Sequence, residues 1–567
     1  MRTGDQAMTG APAFQNWLDD IFAAYYQRRP VNATFVGIHC YDDLLPDYSE
    51  HSAGDALAEG RTLLARLRGL PGETLSEAEA LDRMLAEGFI EIQDWELQSL
   101  HFHRGNPCVY TGEAAFGVIS LLRRPFAPAA QRLESAIGRM EAVPGFLEQG
   151  RRNLHRAPLA WTERAIDECT GALVLLGEGI DRFAQEHGVA GTRLRAAAGR
   201  AAAAFDAFRH YLETELCRCD TDSYACGAEV LDMLIRRGHF LETDAAAIEA
   251  YAQQQFDEAA SCLSERARDF GARTWQEALA RLADRHPTVE GYYGRYAQLW
   301  QASRACAVEH NLLSWPDYPI RYVPQPVWAR EAAPHLYFLF YHSPAPFDDL
   351  PVLEYLVTPI EPTMPPERQE QLLRATNDSV IKLNHVVHHG AVGHHVQNWH
   401  AFRAASRIGR VAAVDCASRI ALFCGGTMAE GWACYATDLM AECGFLTPLE
   451  QYSQIHSRLR LAARALVDVR LHRGVIKLAE AEMFYRERVG MAPAAARAEA
   501  VKNSMFPGTA LMYLLGTDGI HRLRRELSGR PGFELRSFHD RLLSYGSVPV
   551  ALIAESMLGM HSDERRK

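Results

Sequence analysis

The sequence predicts a mainly helical protein with one small β-sheet, and three observations predict it. Apolar residues recur at three- and four-residue steps along much of the 567-residue chain, which is the signature of amphipathic helices. One tract, residues 316–366, changes texture to short β-prone runs broken by prolines. A third stretch, residues 384–400 (NHVVHHGAVGHHVQNWH), holds six of the 23 histidines, and Gly390 and Gly393 interrupt it.

Taken in order, residues 76–100 place Leu81, Met84, Leu85, Phe89, Ile92 and Trp95 on one helical face. Ser76 and Glu79 have the spacing of a capping box at its start. The alanine-rich residues 195–208 are strong helix formers, and residues 243–270 repeat the amphipathic scheme with Ile248, Tyr251, Phe256 and Leu263. No fixed-period repeat is present. A boundary near residue 240 gives an N-terminal helical lobe, 12–240, and a C-terminal lobe, 241–560, with no flexible linker between them. The β-prone runs are YPIRYV (318–323), HLYFLFY (335–341) and VLEYLV (352–357). Further on, Thr447, Pro448 and Glu450 form a complete helix start. Arg464, Asp468 and His472 come next at steps of four, on one face of that helix. They read either as an ion-pair ladder or as a carboxylate that orients an imidazole beside a metal.

Composition excludes some functions. A net charge of −12 and a pI near 6.0, with no basic stripe, argue against a nucleic-acid partner. No run approaches the roughly eighteen apolar residues of a membrane helix, and MRTGDQAMTGAPAF at the N-terminus lacks the apolar core of an export signal. The expectation is a cytoplasmic protein that does not engage a membrane. Twelve cysteines are scattered without a CxxC pair, Cys217 and Cys219 being closest, so reduced thiols are expected. Cys434 and Cys443 lie near the candidate site without an assigned role.

Six histidines in seventeen residues ask for a metal, a proton relay or both. His385 and His389 have the i, i+4 spacing of a metal-binding helix. His388 and His394 are six apart, roughly 600° of rotation, so a regular helix would leave them about 120° out of line. Gly390 and Gly393 permit a bulge that realigns them. His388 and His395, seven apart, share a face without one, and both pairs stay open.

At these residues the chain resembles the bacterial family called domain of unknown function 885, whose pattern is H-E-x-x-P-G-H-H-x-Q. Here it reads from His388 to Gln397, with His389 in place of the glutamate and Val392 in place of the proline. The resemblance extends to RRPVNATFVGIH (28–39), LLRRPFAP (121–128) and the step at 224–227. It implies a large zincin-like helical fold with a deep central cleft, the metal helix on its floor and the small sheet beside it. The sheet edge would hold an extended substrate; otherwise the runs form a hairpin over one core face. E-G-W-A-x-Y-A, matched at 430–436, makes Glu430 the third ligand, joining His388 and His394 around Zn2+. The alternative for Glu430 is a capping box with Thr427. R-x-x-x-D-x-G-x-H is matched at 464–472, except that Arg470 replaces the glycine, and implies roles for Asp468 and His472. P-G-Q-A-x-x-Y-x-x-G, matched from Pro507 to Gly516 apart from Thr509, makes Tyr513 an oxyanion donor or else a core tyrosine. Arg536 and His539, in the family-like close of the chain, read as structural.

The activity implied is metal-dependent hydrolysis of an amide or peptide bond in a small-molecule or short-peptide substrate. His389 would replace the missing general base. Two alternatives remain: a lyase or oxidase in which His389 joins the ligands, with iron, copper or nickel in place of zinc, and a non-catalytic metal-binding descendant.

Overall fold

The computed structural model describes residues 12–72, 74–189, 191–219, 224–336, 345–348, 350, 352–412 and 425–559. Most of them are helical, as the periodicity predicts. Helix α1 (Glu77–Gln98) opens with the expected capping box, Glu79 accepting from Ser76 N at 2.9 Å, and buries Leu81, Leu85, Phe89 and Ile92. Helix α2 (Ala245–Arg266) is capped by Asp244 and buries Ile248, Phe256 and Leu263, while Tyr251 stays on the surface and reaches Asp518. Helix α3 (Tyr292–Glu309) turns Tyr292, Tyr296 and Trp300 inward.

Strands β1 (Ile320–Pro324) and β2 (Leu353–Val357) pair in parallel, with Tyr322 opposite Tyr355. Parallel pairing excludes a hairpin, because the chain must cross over between the strands. Most of the middle β-prone run, residues 337–341, lies outside the described residues.

Elements C-terminal to the sheet carry the site. Helix α4 (Ile381–Gly390) is wound as a π-helix, and α5 (His394–Ala401) restarts after a three-residue break. Helix α6 (Gly426–Glu442), α7 (Pro448–His472), α8 (Pro493–Met505) and α9 (Leu511–Ser528) enclose it. Glycines set the approach of α6 to α9: a Cβ on Gly516 would lie 2.1 Å from Thr427 O, and one on Gly431 would lie 2.5 Å from the Gly516 carbonyl carbon.

Of the apolar cores among the described residues, three support these elements. The largest runs from Phe14 to Met557, and the second joins Trp161 and Leu231 to Leu466 and Leu514. Both draw side chains from either side of residue 240. The third packs Tyr296, Trp300 and Tyr355 against Ile381 and Val386 of α4. Among the described residues no helix is long and apolar enough to cross a membrane, and the described cysteines are free.

Candidate metal centre

The two glycines make the centre possible. Trp300 Nε1 donates to Gly390 O at 2.7 Å and Trp432 Nε1 donates to Val392 O at 2.9 Å, so the break between α4 and α5 is pinned from both sides. Gly393 N donates back to Val387 O at 2.9 Å. A Cβ on Gly393 would stand 1.9 Å from His388 O, a distance that no side chain tolerates.

This break brings His388 and His394 onto one face, where α6 supplies Glu430. Glu430 Oε2 lies 3.4 Å from both His388 Nε2 and His394 Nε2. Two donors each about 2.1 Å from one tetrahedral zinc ion stand about 3.4 Å apart, so the spacing fits shared ligation. Glu430 Oε2 is buried without a well-formed hydrogen bond, which is costly for a carboxylate unless a cation joins it. Burial opposes ionisation of Glu430, but the two imidazoles outweigh it and hold the carboxyl well below its usual range. The side chains of His388, His394 and Glu430 keep 17%, 10% and 22% of their surface exposed, so solvent reaches the group.

His389 completes the cluster: one ring nitrogen each of His388, His389 and His394 lie within 4.8 Å of one another. Its Nδ1 donates to Asn384 O at 2.8 Å, which leaves the lone pair on Nε2. Burial, and then His388 and His394, push its pKa well down, so the ring is neutral.

Other expected residues sit elsewhere. His395 turns away from the centre: its Nε2 donates to Tyr318 O at 2.6 Å and its ring stacks on Tyr318. The pair of His388 with His395 is therefore replaced by His388 with His394. Glu430 does not close a helix start, because α6 begins at Gly426 and Thr427 Oγ1 accepts from Val550 N instead. Asp468 and His472 do not orient an imidazole beside a metal. Asp468 is fully buried and accepts from Gly508 N and Ala510 N at 2.9 and 2.8 Å, while His472 Nε2 donates to Asn503 O at 2.8 Å. Their shared face packs into the second core, 3.7 Å apart. Arg464 pairs with Glu499 of α8 and not with Asp468. Tyr513, in the first turn of α9, lies under the Arg464 guanidinium at 4.6 Å. Burial, with Glu430 adding, keeps its phenol protonated.

Sequence reasoning missed Tyr322 and Tyr355. Tyr355 OH lies 2.9 Å from His385 Nδ1 and 3.5 Å from His389 Nδ1, and Tyr322 OH donates to His385 O at 3.1 Å. Their signal was present, since each sits within a β-prone run, but pairing them needed the parallel register.

A mainly helical fold with a histidine–glutamate cluster at a broken helix defines a class of protein with a candidate mononuclear metal centre. More particularly, the chain belongs to the family described as "Bacterial protein of unknown function (DUF885)", which matches residues 30–557. Its fold is similar to that of a "putative lipoprotein of unknown function" from Shewanella oneidensis, with 20% identity, a TM-score of 0.76, and 97% of this chain and 100% of that one covered. A "putative lipoprotein" from Colwellia psychrerythraea aligns with 16% identity and a TM-score of 0.75, over 96% of this chain and 99% of that one. No curated protein matches the chain.

Proposed function

We propose that this protein is a metal-dependent hydrolase of amide or peptide bonds in a small-molecule or short-peptide substrate. His388, His394 and Glu430 would hold zinc or another divalent transition metal. The observation that carries the reading is Glu430 Oε2 at 3.4 Å from both imidazole nitrogens. When bound, such an ion polarises a carbonyl and acidifies water. His389 accepts a proton at Nε2, since its Nδ1–H is committed to Asn384 O. Tyr513 donates its phenolic hydrogen to the developing oxyanion. Asp468 acts through Tyr513, because its hold on Gly508 and Ala510 fixes the loop that opens α9.

One observation favours a second reading. One ring nitrogen of His389 lies within 4.8 Å of one on each of His388 and His394, so His389 would serve as a fourth ligand in a lyase or oxidase. Elemental analysis of untagged protein and a panel of aminoacyl amides separate the two. One equivalent of zinc, with amide cleavage lost in His389→Gln while zinc stays, supports the hydrolase. Iron or copper, partly lost in His389→Gln, supports the second reading. A wild type inert toward amides, with cleavage created by His389→Glu, refutes the hydrolase. Absence of stoichiometric metal refutes both and leaves a non-catalytic descendant.

A further inference from the structure

Four arginines lie within α7, and three have acidic partners. Arg458 binds Asp518 at 2.6 Å, Arg464 binds Glu499 through two contacts of 2.7 and 3.0 Å, and Arg470 binds Glu249 at 2.8 Å. The fourth, Arg460, makes no hydrogen bond or ion pair with the described residues. It is only partly exposed. Burial and the neighbouring Arg464 charge disfavour its cation, while Glu499, Tyr485 and Tyr513 act against them. Glu499 offers little relief, because both its oxygens are engaged by Arg464.

Partly exposed and without a partner among the described residues, the Arg460 guanidinium is open to an anion that arrives from solution. Arg460 stands one helical turn, about 6 Å, from Arg464. Arg464 in turn lies over the Tyr513 ring, and Tyr513 stands one turn before Gly516, against which Gly431, the neighbour of Glu430, packs. We infer that Arg460 binds a carboxylate on the substrate, so that the substrates are short acids with the reacting bond a residue or so from the charged end. A guanidinium matches a carboxylate through two parallel hydrogen bonds. One unpaired guanidinium balances a single negative charge, which favours a carboxylate over a phosphate dianion. The assignment rests on the metalloenzyme reading for its meaning, but its test does not.

Binding of 3-phenylpropionate and its neutral analogue 3-phenylpropanamide to the full chain, zinc-loaded and chelated, is measured by calorimetry. The expected result is tighter binding of the acid than of the amide by 10-fold or more, with or without zinc. Arg460→Gln should weaken the acid about 10- to 100-fold and leave the amide unchanged, with Arg460→Lys between the two. The melting temperature of Arg460→Gln should hold or rise, since an unpaired charge is removed. Equal binding of acid and amide to wild type, failure of both to bind, undiminished acid binding in Arg460→Gln, or a lower melting temperature of that variant would each overturn the inference. Acid binding that vanishes on chelation but survives Arg460→Gln places the carboxylate on the ion, sinking this inference alone. Acid preference that persists in a chain taking up no metal sinks the metal reading alone.

Discussion

Gly393→Ala is the sharpest perturbation of the proposed centre, because it adds one methyl group to the residue that lets α4 hand over to α5. The added Cβ would stand 1.9 Å from His388 O and 2.6 Å from the His388 carbonyl carbon. Ordinary contact needs about 3.4 Å, so the backbone at 388 and 393 must separate by about 1.5 Å, and no flexible side chain is there to give way. The donors on His388 and His394 ride on that backbone, each 3.4 Å from Glu430 Oε2. A displacement of about 1 Å or more takes one imidazole out of ligation, and the expected loss is at least about 100-fold in metal affinity. The accompanying overpacking costs about 3 kcal/mol of stability. Zinc content by elemental analysis and competition against a chromogenic chelator read the first effect, and the denaturant midpoint reads the second. A Gly393→Ala protein that keeps one tight equivalent of zinc would refute the claim that this break builds the centre.

Two more outcomes concern buried groups outside the centre. Asp468→Asn leaves one acceptor where Gly508 N and Ala510 N need two, at a cost of about 2 kcal/mol; the denaturant midpoint should fall while zinc content stays, and the reverse pattern would return Asp468 to the metal site. His39 lies between Asp42 Oδ2 at 2.9 Å and Asp348 Oδ1 at 2.8 Å, and despite burial these carboxylates raise its pKa to about 9. Its folded value lies above the unfolded one, so the stabilisation is complete below about pH 6.5 and is lost as pH rises through about 9. With the imidazole partly exposed, about 1–2 kcal/mol is at stake. Urea midpoints at pH 6 and 9.5 should differ by less in His39→Gln than in wild type, and an unchanged difference would remove His39 from the pH dependence.

The fold class was legible because helical period is a local property: the Ser76 capping box and the apolar stripe behind it are visible in twenty residues. The same holds for the glycine break, since a six-residue spacing of histidines has no other way to share a face. The parallel register of Tyr322 with Tyr355 was not legible, because strand direction depends on a crossover that leaves no local mark. Asp468 and His472 misled for a related reason. Their spacing set a shared helical face, but spacing does not say which core that face enters, and it enters the one that closes on Gly508 and Asn503. Arg460 was invisible beside three arginines of the same helix, because pairing is settled by α8, α9 and α2 and not by α7.

The imidazole at 389 changes the charge of the site as well as its base. A glutamate there would set a second negative charge beside Glu430, and a divalent ion between them would be balanced. His389 is neutral, so the same ion with Glu430 alone leaves a net charge of +1. Arg464 and Glu499 cancel, but Arg460 adds another positive charge. With an effective dielectric constant near 20, a surplus charge attracts an anion about 8 Å away by about 2 kcal/mol. A chain with glutamate at 389 keeps only the Arg460 charge, and so about half of that attraction. The substitution that weakens the ordinary base thus favours the short acidic substrate that an unpaired Arg460 calls for, and restoring the carboxylate in His389→Glu should lower acid binding even where it raises amide cleavage.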